Sequence, residues 1–345
     1  MDMDREYALY AVEKAFAALA IDSPTGFTEK AAVWVKNEFE SLGFPAARLA
    51  RGGVLADLGG AGEGLLIQAH IDTLGAMVTQ IRPDGRLKIT NLGDMRAENS
   101  EGENVRVYTR GGKIYEGTHQ LHNPSVHVNT GYEEVKRSFE TTEIVLDEDV
   151  SSSQDVLALG IDVGDIVAFE PRPRMTESGY IKSRFLDNKL EIGVLLGLAK
   201  YMADKAVVPQ RRVYAHVTVY EEVGHGGAGP VPEGVTEVLS IDMGCVGEGL
   251  QCTERKVSIC AKDSDGPYSY DMVTKLVNAA KREGADYAID VYPNYSSDAG
   301  AAVIAGNDVR HGLIGAGIFA SHGYERSHID GVLNTLKLLK GYLEI

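Results

Sequence analysis

The sequence predicts an α/β domain interrupted by a small β-rich domain, and three observations carry that expectation. Helical and strand-like periodicities alternate before about residue 75 and again after about residue 173. Between those points lie short strand candidates separated by turn signals, with no long amphipathic helix. Polar residues suited to chemistry fall where apolar runs end, on both sides of the interruption, which is how an α/β sheet presents functional groups. The expected boundaries are therefore 1–75 with 173–345 for the first domain and 76–172 for the insertion.

Taken in order, residues 5–19 place Tyr7, Ala8, Ala11, Ala15, Phe16 and Leu19 at helical spacing. A second helix is predicted from Glu29 to Leu42, with Thr28 as its cap and Gly43 as its stop. Strands follow at Val54–Leu58 and at Leu65–Ala69, the latter leading into His70. In the insertion, strands are expected at Met77–Ile81, Leu87–Thr90, Val105–Thr109 and Ile166–Phe169, with turns at Pro83-Asp84-Gly85 and Gly111-Gly112. The acidic stretch 147–155 reads as an exposed loop or a helix start. Beyond it, Leu190, Val194, Leu195, Leu198 and Met202 form the stripe of a helix beginning near Asp187. Val213, Ala215, Val217 and Val219 alternate as a strand, and Val238–Ile241 is a short apolar strand ending at Asp242. Helices are predicted over 270–283, closed by Gly284, and over 329–343.

The chain has 345 residues, 44% of them hydrophobic and 24% charged, an ordinary globular composition. Fifty acidic against 34 basic residues give a formal net charge of −16, which disfavours nucleic acid and anionic membranes as partners. No apolar run of the length needed to span a membrane occurs, and the opening MDMDREY is acidic where a secretory signal is basic and then apolar. Cys245, Cys252 and Cys260 are odd in number and lack CxxC spacing, which points to reduced thiols and a cytoplasmic protein. Any bound metal must then be held by His, Asp and Glu.

Chemistry concentrates in VYEEVGHGGAG (219–229), where adjacent Glu221 and Glu222 close a strand-like run before a Gly-rich turn. Mid-strand neighbours point to opposite faces, but at a strand's end both carboxylates can swing into one site. A tandem Glu is ordinarily a solvated pair. Here it has company in His70 and Asp72, Asp187, Asp242 and His322. On an extended backbone His70 and Asp72 share a face, so Asp72 can orient the imidazole. Asp187 at a helix start has N-capping as its plainer role, and Asp242 before Gly244 has turn formation. Together the two imidazoles and three carboxylates (Asp187, Glu222, Asp242) suit Zn²⁺, Co²⁺ or Mn²⁺. Two such ions can activate a water for hydrolysis, leaving Glu221 free to move its proton.

At these residues the chain resembles the tetrahedral aminopeptidases, a family of dinuclear metallopeptidases that includes glutamyl and deblocking aminopeptidases. The matching stretches are AHIDTLGAMV (69–78), GIDVGDIVAFEP (160–171), SRFLDNKLEIGVLL (183–196), VYEEVGHGGA (219–228), SIDMG (240–244), SSDAG (296–300) and SHGYE (321–325). The resemblance implies a three-layer α/β/α metallopeptidase domain with an inserted barrel-like domain serving dimerisation and assembly. It implies that His70, Asp187 and Asp242 bind one metal and that Asp187, Glu222 and His322 bind the other. It makes Glu221 the catalytic base and Asp72 the orienting carboxylate, with Ser297 and Asp298 lining the substrate pocket or capping a helix. It further implies peptide substrates with free N-termini, two divalent ions per subunit (Zn²⁺ foremost, Co²⁺ or Mn²⁺ otherwise), and dimers built into dodecamers. Phe319-Ala320-Ser321 before His322 and Gly323-Tyr324 after it depart from the family's usual Arg-Tyr and Ser-Pro, which leaves the preferred N-terminal residue open.

Among the remaining histidines, His119, His122 and His127 lie in a polar stretch and fit no standard metal-finger spacing, while His311 and His328 compete with His322. His225 reads as a turn residue near the site, and Cys245 lacks a base beside it. Two further readings remain at this stage: a deacylase or carboxypeptidase using the same centre, and a non-catalytic assembly protein on a peptidase scaffold. The presence of every expected ligand and of Glu221 argues against the second.

Overall fold

A computed structural model describes residues 5–229 and 231–345 of the chain. The first four residues, whose acidity bears on the signal-sequence argument above, lie outside the described residues. The chain divides into two compact units, one running to Asp72 and resuming at Arg172–Ile345, the other spanning Thr73–Pro171.

In the first unit, twelve strands among the described residues form one mixed sheet. At its centre four neighbours run parallel in the order Arg212–Thr218, Gly64–His70, Val235–Ile241 and Arg310–Phe319. Every residue of Gly64–His70 is buried, so both faces of that strand must be covered. On one face Leu66 and Val238 pack against Ala299 and Ala302 of the helix Asp298–Ile304. The pleat turns Leu65 and Ile67 the other way, towards the helices Arg5–Leu19, Leu186–Lys205 and Ile329–Leu343, which pack on one another. Burying each such side chain contributes about 1.5–3 kcal/mol.

The helix Leu186–Lys205 is buried on nearly all sides from Leu186 to Met202 rather than along a single stripe. The expected helices at the chain's start, at Tyr270–Glu283 and at Ile329–Leu343 form with the expected ends. Thr28 precedes the helix Glu29–Ser41 but makes no side-chain cap: its backbone is turned at φ −106°, ψ 0°, and only its carbonyl joins the helix.

The strand Arg310–Phe319 was legible only as a Gly-rich apolar stretch. Its glycines answer a close approach: a Cβ on Gly315 would run into the Asp242 carbonyl and come within 3.2 Å of Glu191 Oε1. The same constraint lets Asp242 N–H donate to the Ile314 carbonyl at 2.9 Å.

The second unit is a closed six-stranded barrel, ordered Gly75–Ile81, Leu87–Leu92, Thr142–Leu146, Ile114–Leu121, Asn104–Tyr108 and Ile166–Phe169. Val78, Leu87, Ile89, Val105, Val107, Ile144, Val167 and Phe169 are buried in it. Ile114–Leu121 alternates exposed and buried as a barrel strand should, and its buried set includes His119. The stretch 147–155 turns into the short helix Ser153–Leu159, with Ser152 Oγ accepting from Asp155 N–H at 3.2 Å.

Gly315→Ala is expected to lower stability by about 1–3 kcal/mol, because the added methyl forces adjacent backbones apart. Thermal denaturation reads this, and an unchanged melting temperature would remove the close-packing account of this strand.

Candidate metal centre

Four adjacent parallel strands bring their carboxyl ends to one edge, and each delivers part of the site. Gly64–His70 ends on His70, and Thr218 pairs directly beside it at the end of the next strand. The chain then makes a short turn of 3-10 helix, Glu221–Val223, that carries both glutamates. Asp242 follows Val235–Ile241, and His322 lies in the turn after Arg310–Phe319. Asp187 enters from the start of the helix Leu186–Lys205, where the Asp187–Asn188 peptide is cis and Phe185 occupies the cap position. The capping role weighed for Asp187 is thereby excluded: its side chain faces the histidines.

The geometry centres on Asp187. Its Oδ1 lies 3.1 Å from His70 Nε2, and its Oδ2 lies 3.4 Å from His322 Nε2. His70 Nε2 is also 3.8 Å from Asp242 Oδ2 and 3.7 Å from Glu221 Oε2, while His322 Nε2 is 3.8 Å from Glu222 Oε2. Among the described residues, two groups have donor atoms all within 4.8 Å of one another: His70, Asp187 and Glu222, and His70, Glu221 and Asp242.

His70 Nδ1 donates to the Asp72 carbonyl at 2.9 Å, since a carbonyl can only accept. That leaves Nε2 facing the carboxylates, where loss of its proton would free a lone pair for an ion. The closest orienting contact comes from the Asp72 backbone, with the Asp72 carboxylate 3.6 Å from the same Nδ1. That carboxylate also holds the glutamate turn, accepting from Glu221 N–H at 3.2 Å and Glu222 N–H at 3.4 Å, and from Thr25 Oγ1 at 2.7 Å.

Burial, followed by neighbouring charges, disturbs the carboxyls that face the histidines. It pushes Glu221 and Glu222 well above the usual carboxylate range and Asp242 up to about 7. Beneath them burial raises Glu191 and Glu325 to about 8. Asp187 is held low despite its burial by His322 and His70. Burial would lower His70, but Glu221 and its other acidic neighbours outweigh it and raise the imidazole well above its ordinary value. Among the described residues no lysine or arginine pairs with Asp187, Glu221, Glu222 or Asp242; their ion pairs are to His70 and His322. Glu222 Oε1 is buried with no hydrogen-bond partner. Buried carboxylates with no lysine or arginine to offset them, beside imidazoles that can give up a proton, are the donor set a divalent ion fits.

Ser297 and Asp298 are both 3% exposed. Ser297 takes the capping role considered for it, its Oγ accepting from Gly300 N–H at 3.4 Å and meeting Tyr268 Oη at 2.7 Å. Asp298 accepts from Thr218 Oγ1 and lies under Gly226 and Gly227, where any Cβ would collide with it. That is why the turn after the glutamates is Gly-rich. Burial raises Asp298 to about 6.

Most of the other histidines are committed elsewhere, while His127 lies exposed. His328 caps the C-terminal helix through Asp330 N–H at 3.0 Å, and His311 packs on Tyr268. His225 stacks on Tyr220 and meets Arg51 Nη2 at 3.0 Å through Nδ1. His119 stacks on Phe139 inside the barrel unit and lies 3.1 Å from Ser100 Oγ, and His122 meets Arg82 Nη2 at 2.8 Å. Burial pushes the Cys245 thiol well up, away from nucleophilic use. Glu325 entered from the sequence only as part of the SHGYE context that marks His322, with no role of its own. It accepts from the backbone N–H of both Asp187, at 3.1 Å, and His322, at 3.0 Å.

A mixed α/β sheet with buried carboxylates and imidazoles at its carboxyl edge is suited to metal-dependent hydrolysis. Residues 52–338 match the model of the M42 glutamyl aminopeptidases. YhfE of Bacillus subtilis (strain 168), a protein provisionally named as an aminopeptidase, is 41% identical over 328 residues, covering 94% of this chain and 95% of the relative. The aminopeptidase APDkam598 from the archaeon Desulfurococcus kamchatkensis superposes with a TM-score of 0.86 at 21% identity, over 98% of this chain and 95% of that one. The TET1 peptidase of Pyrococcus horikoshii does so with a TM-score of 0.84 at 22% identity, over 96% and 98%. Those two likenesses establish the shared fold. The chain belongs to the M42 glutamyl aminopeptidase family, and its activity class is aminopeptidase hydrolysis. The family is metal-dependent, in keeping with the donor groups around His70.

Metal-stripped protein should lose stability as pH rises from about 4 to about 8. In that state Asp242 and Glu191 hold their protons when folded, whereas the unfolded chain has released them above about pH 4. Their contribution is complete below the unfolded value and disappears as pH climbs through 7 to 8. Melting temperatures across that range, with and without Zn²⁺, test this. The ion should restore most at the alkaline end, and a melting temperature that rises with pH in the stripped protein would contradict the assignment.

Proposed function

We propose that the chain is a two-metal aminopeptidase that removes N-terminal residues from peptides by hydrolysis. The observation that carries the reading is Asp187, whose two oxygens face different imidazoles, His70 and His322. We assign His70, Asp187 and Asp242 to one ion and Asp187, Glu222 and His322 to the other, with Asp187 bridging. The mixed imidazole and carboxylate donors suit Zn²⁺ best, with Co²⁺ or Mn²⁺ as alternatives. Ions so held would acidify a water and polarise the scissile carbonyl.

By the family resemblance we assign Glu221 to neither ligand set, although its Oε2 lies as near His70 Nε2, at 3.7 Å, as Asp242 Oδ2 does at 3.8 Å. The Glu221 carboxylate takes the proton from the attacking water and passes it to the leaving amine. Asp72 keeps Glu221 and Glu222 in place through their backbone N–H groups, and Asp298 supports the turn behind them. The acidic surroundings favour a positively charged, unblocked α-amine on the substrate.

Self-association is part of the reading. The TET1 peptidase of Pyrococcus horikoshii can assemble into a tetrahedron or a large octahedral shell. By likeness we assign the barrel unit to dimerisation and this chain to dimers and dodecamers. We place the protein in the cytoplasm, where Cys245, Cys252 and Cys260, all unpaired, remain reduced.

Glu221→Gln should retain both ions and lower kcat by about 10²–10⁴-fold. Elemental analysis beside peptide hydrolysis decides this, and full turnover in the variant would sink the mechanism. Free peptides and their N-acetylated twins, offered to stripped and Zn²⁺-restored protein, test the substrate class. Metal-dependent release from the free set alone is expected, and cleavage of the acetylated set would move the activity to a deacylase or carboxypeptidase.

A further inference from the structure

Both oxygens of Glu325 are spent on backbone N–H groups, those of Asp187 and His322, at 3.1 and 3.0 Å. The two recipients lie far apart in sequence and meet in space through this one carboxylate. Glu325 is 1% exposed and opens the strand Glu325–His328, where it pairs with Ser183, so its own backbone is fixed in the sheet. His322 has φ +61°, in the left-handed region that a residue with a Cβ adopts only when its surroundings hold it there. The turn around it is otherwise closed by Gly323 N–H to the Ala320 carbonyl at 3.0 Å, and Ala320 too has positive φ.

The other half of the centre has separate supports. His70 is anchored to the Asp72 carbonyl, and Asp242 to the Ile314 carbonyl in the neighbouring strand. Asp242 Oδ1 also accepts from Met243 N–H at 2.6 Å. None of these contacts passes through Glu325.

We infer that Glu325 is a positioning residue that holds Asp187 and His322 together, so that its removal weakens the ion site of Asp187, Glu222 and His322, which loses both supports, more than the site that shares only Asp187 with it. The inference rests on the two-ion assignment above. It requires Glu325 to act through backbone orientation rather than as a ligand. Glutamine at 325 keeps the length but turns an N–H₂ donor toward one of the two N–H donors, which breaks one bond and opposes the other group.

The test is Zn²⁺ titration by calorimetry into stripped wild-type protein and stripped Glu325→Gln, with circular dichroism on each. Wild type should show two sites. The variant should bind one ion about 10–100-fold more weakly, the range typical when a ligand's outer partner is lost, and the other with a smaller loss that comes only through the shared Asp187. Two unchanged sites in the variant would overturn the inference, and so would equal weakening of both. Fewer than two sites in wild type would overturn the two-ion assignment and the inference with it. Should Glu325→Gln fail to fold, Glu325→Asp serves under the same criteria, since it keeps the charge but lacks the reach to span both N–H groups.

Discussion

Everything at the carboxyl edge of the sheet is governed by buried negative charge that the protein does not itself neutralise. The contrast lies within one strand. Near the start of Val235–Ile241, Glu237 is 1% exposed and is met by Arg211, Lys275 and Arg310, with Tyr342 Oη donating at 2.7 Å. Just past the end of that strand, Asp242 joins Asp187, Glu221 and Glu222 with imidazoles as their ion-pair partners. An unpaired buried carboxylate costs about several kcal/mol, so such a cluster persists only with protons or cations to offset it. The first end of the strand is built for stability, the second for a ligand.

The supporting structure follows from that constraint. Carboxylates that repel one another are held together by backbone N–H groups, which add favourable dipoles without competing as cations. Asp72 serves the glutamate turn in this way and Glu325 serves Asp187 and His322, while Asp298 underpins the glycines at 226 and 227. The left-handed backbone at His322 costs about 1–2 kcal/mol, and it is tolerated where the imidazole must turn back toward Asp187.

The cluster of acids and histidines was readable in the sequence because most of its members stand at a break in periodicity, where an apolar run stops at an acid or a histidine. The central strands and the long helices were readable for the same reason. What escaped was set by tertiary contact. Arg310–Phe319 was not assigned from the sequence, and its Gly315 lets the Asp242 backbone approach. Ile114–Leu121 mixes charged, polar and small residues, so its alternation emerges only when the barrel closes around it. The division of labour between the carbonyl and carboxylate of Asp72 has no signature in a one-dimensional string, nor does the reach of Glu325 to a residue placed so far before it.

The position of the barrel in the chain also bears on how the enzyme comes into being. His70 and Asp72 are synthesised before the insertion and Asp187, Glu221, Glu222, Asp242 and His322 after it. The strand Gly64–His70 must therefore wait, with both its edges open, until Arg212–Thr218 and Val235–Ile241 leave the ribosome. On the assignment proposed above, a nascent chain that has not reached His322 lacks part of the ligand set, so the centre can close only once nearly the whole sequence has been made.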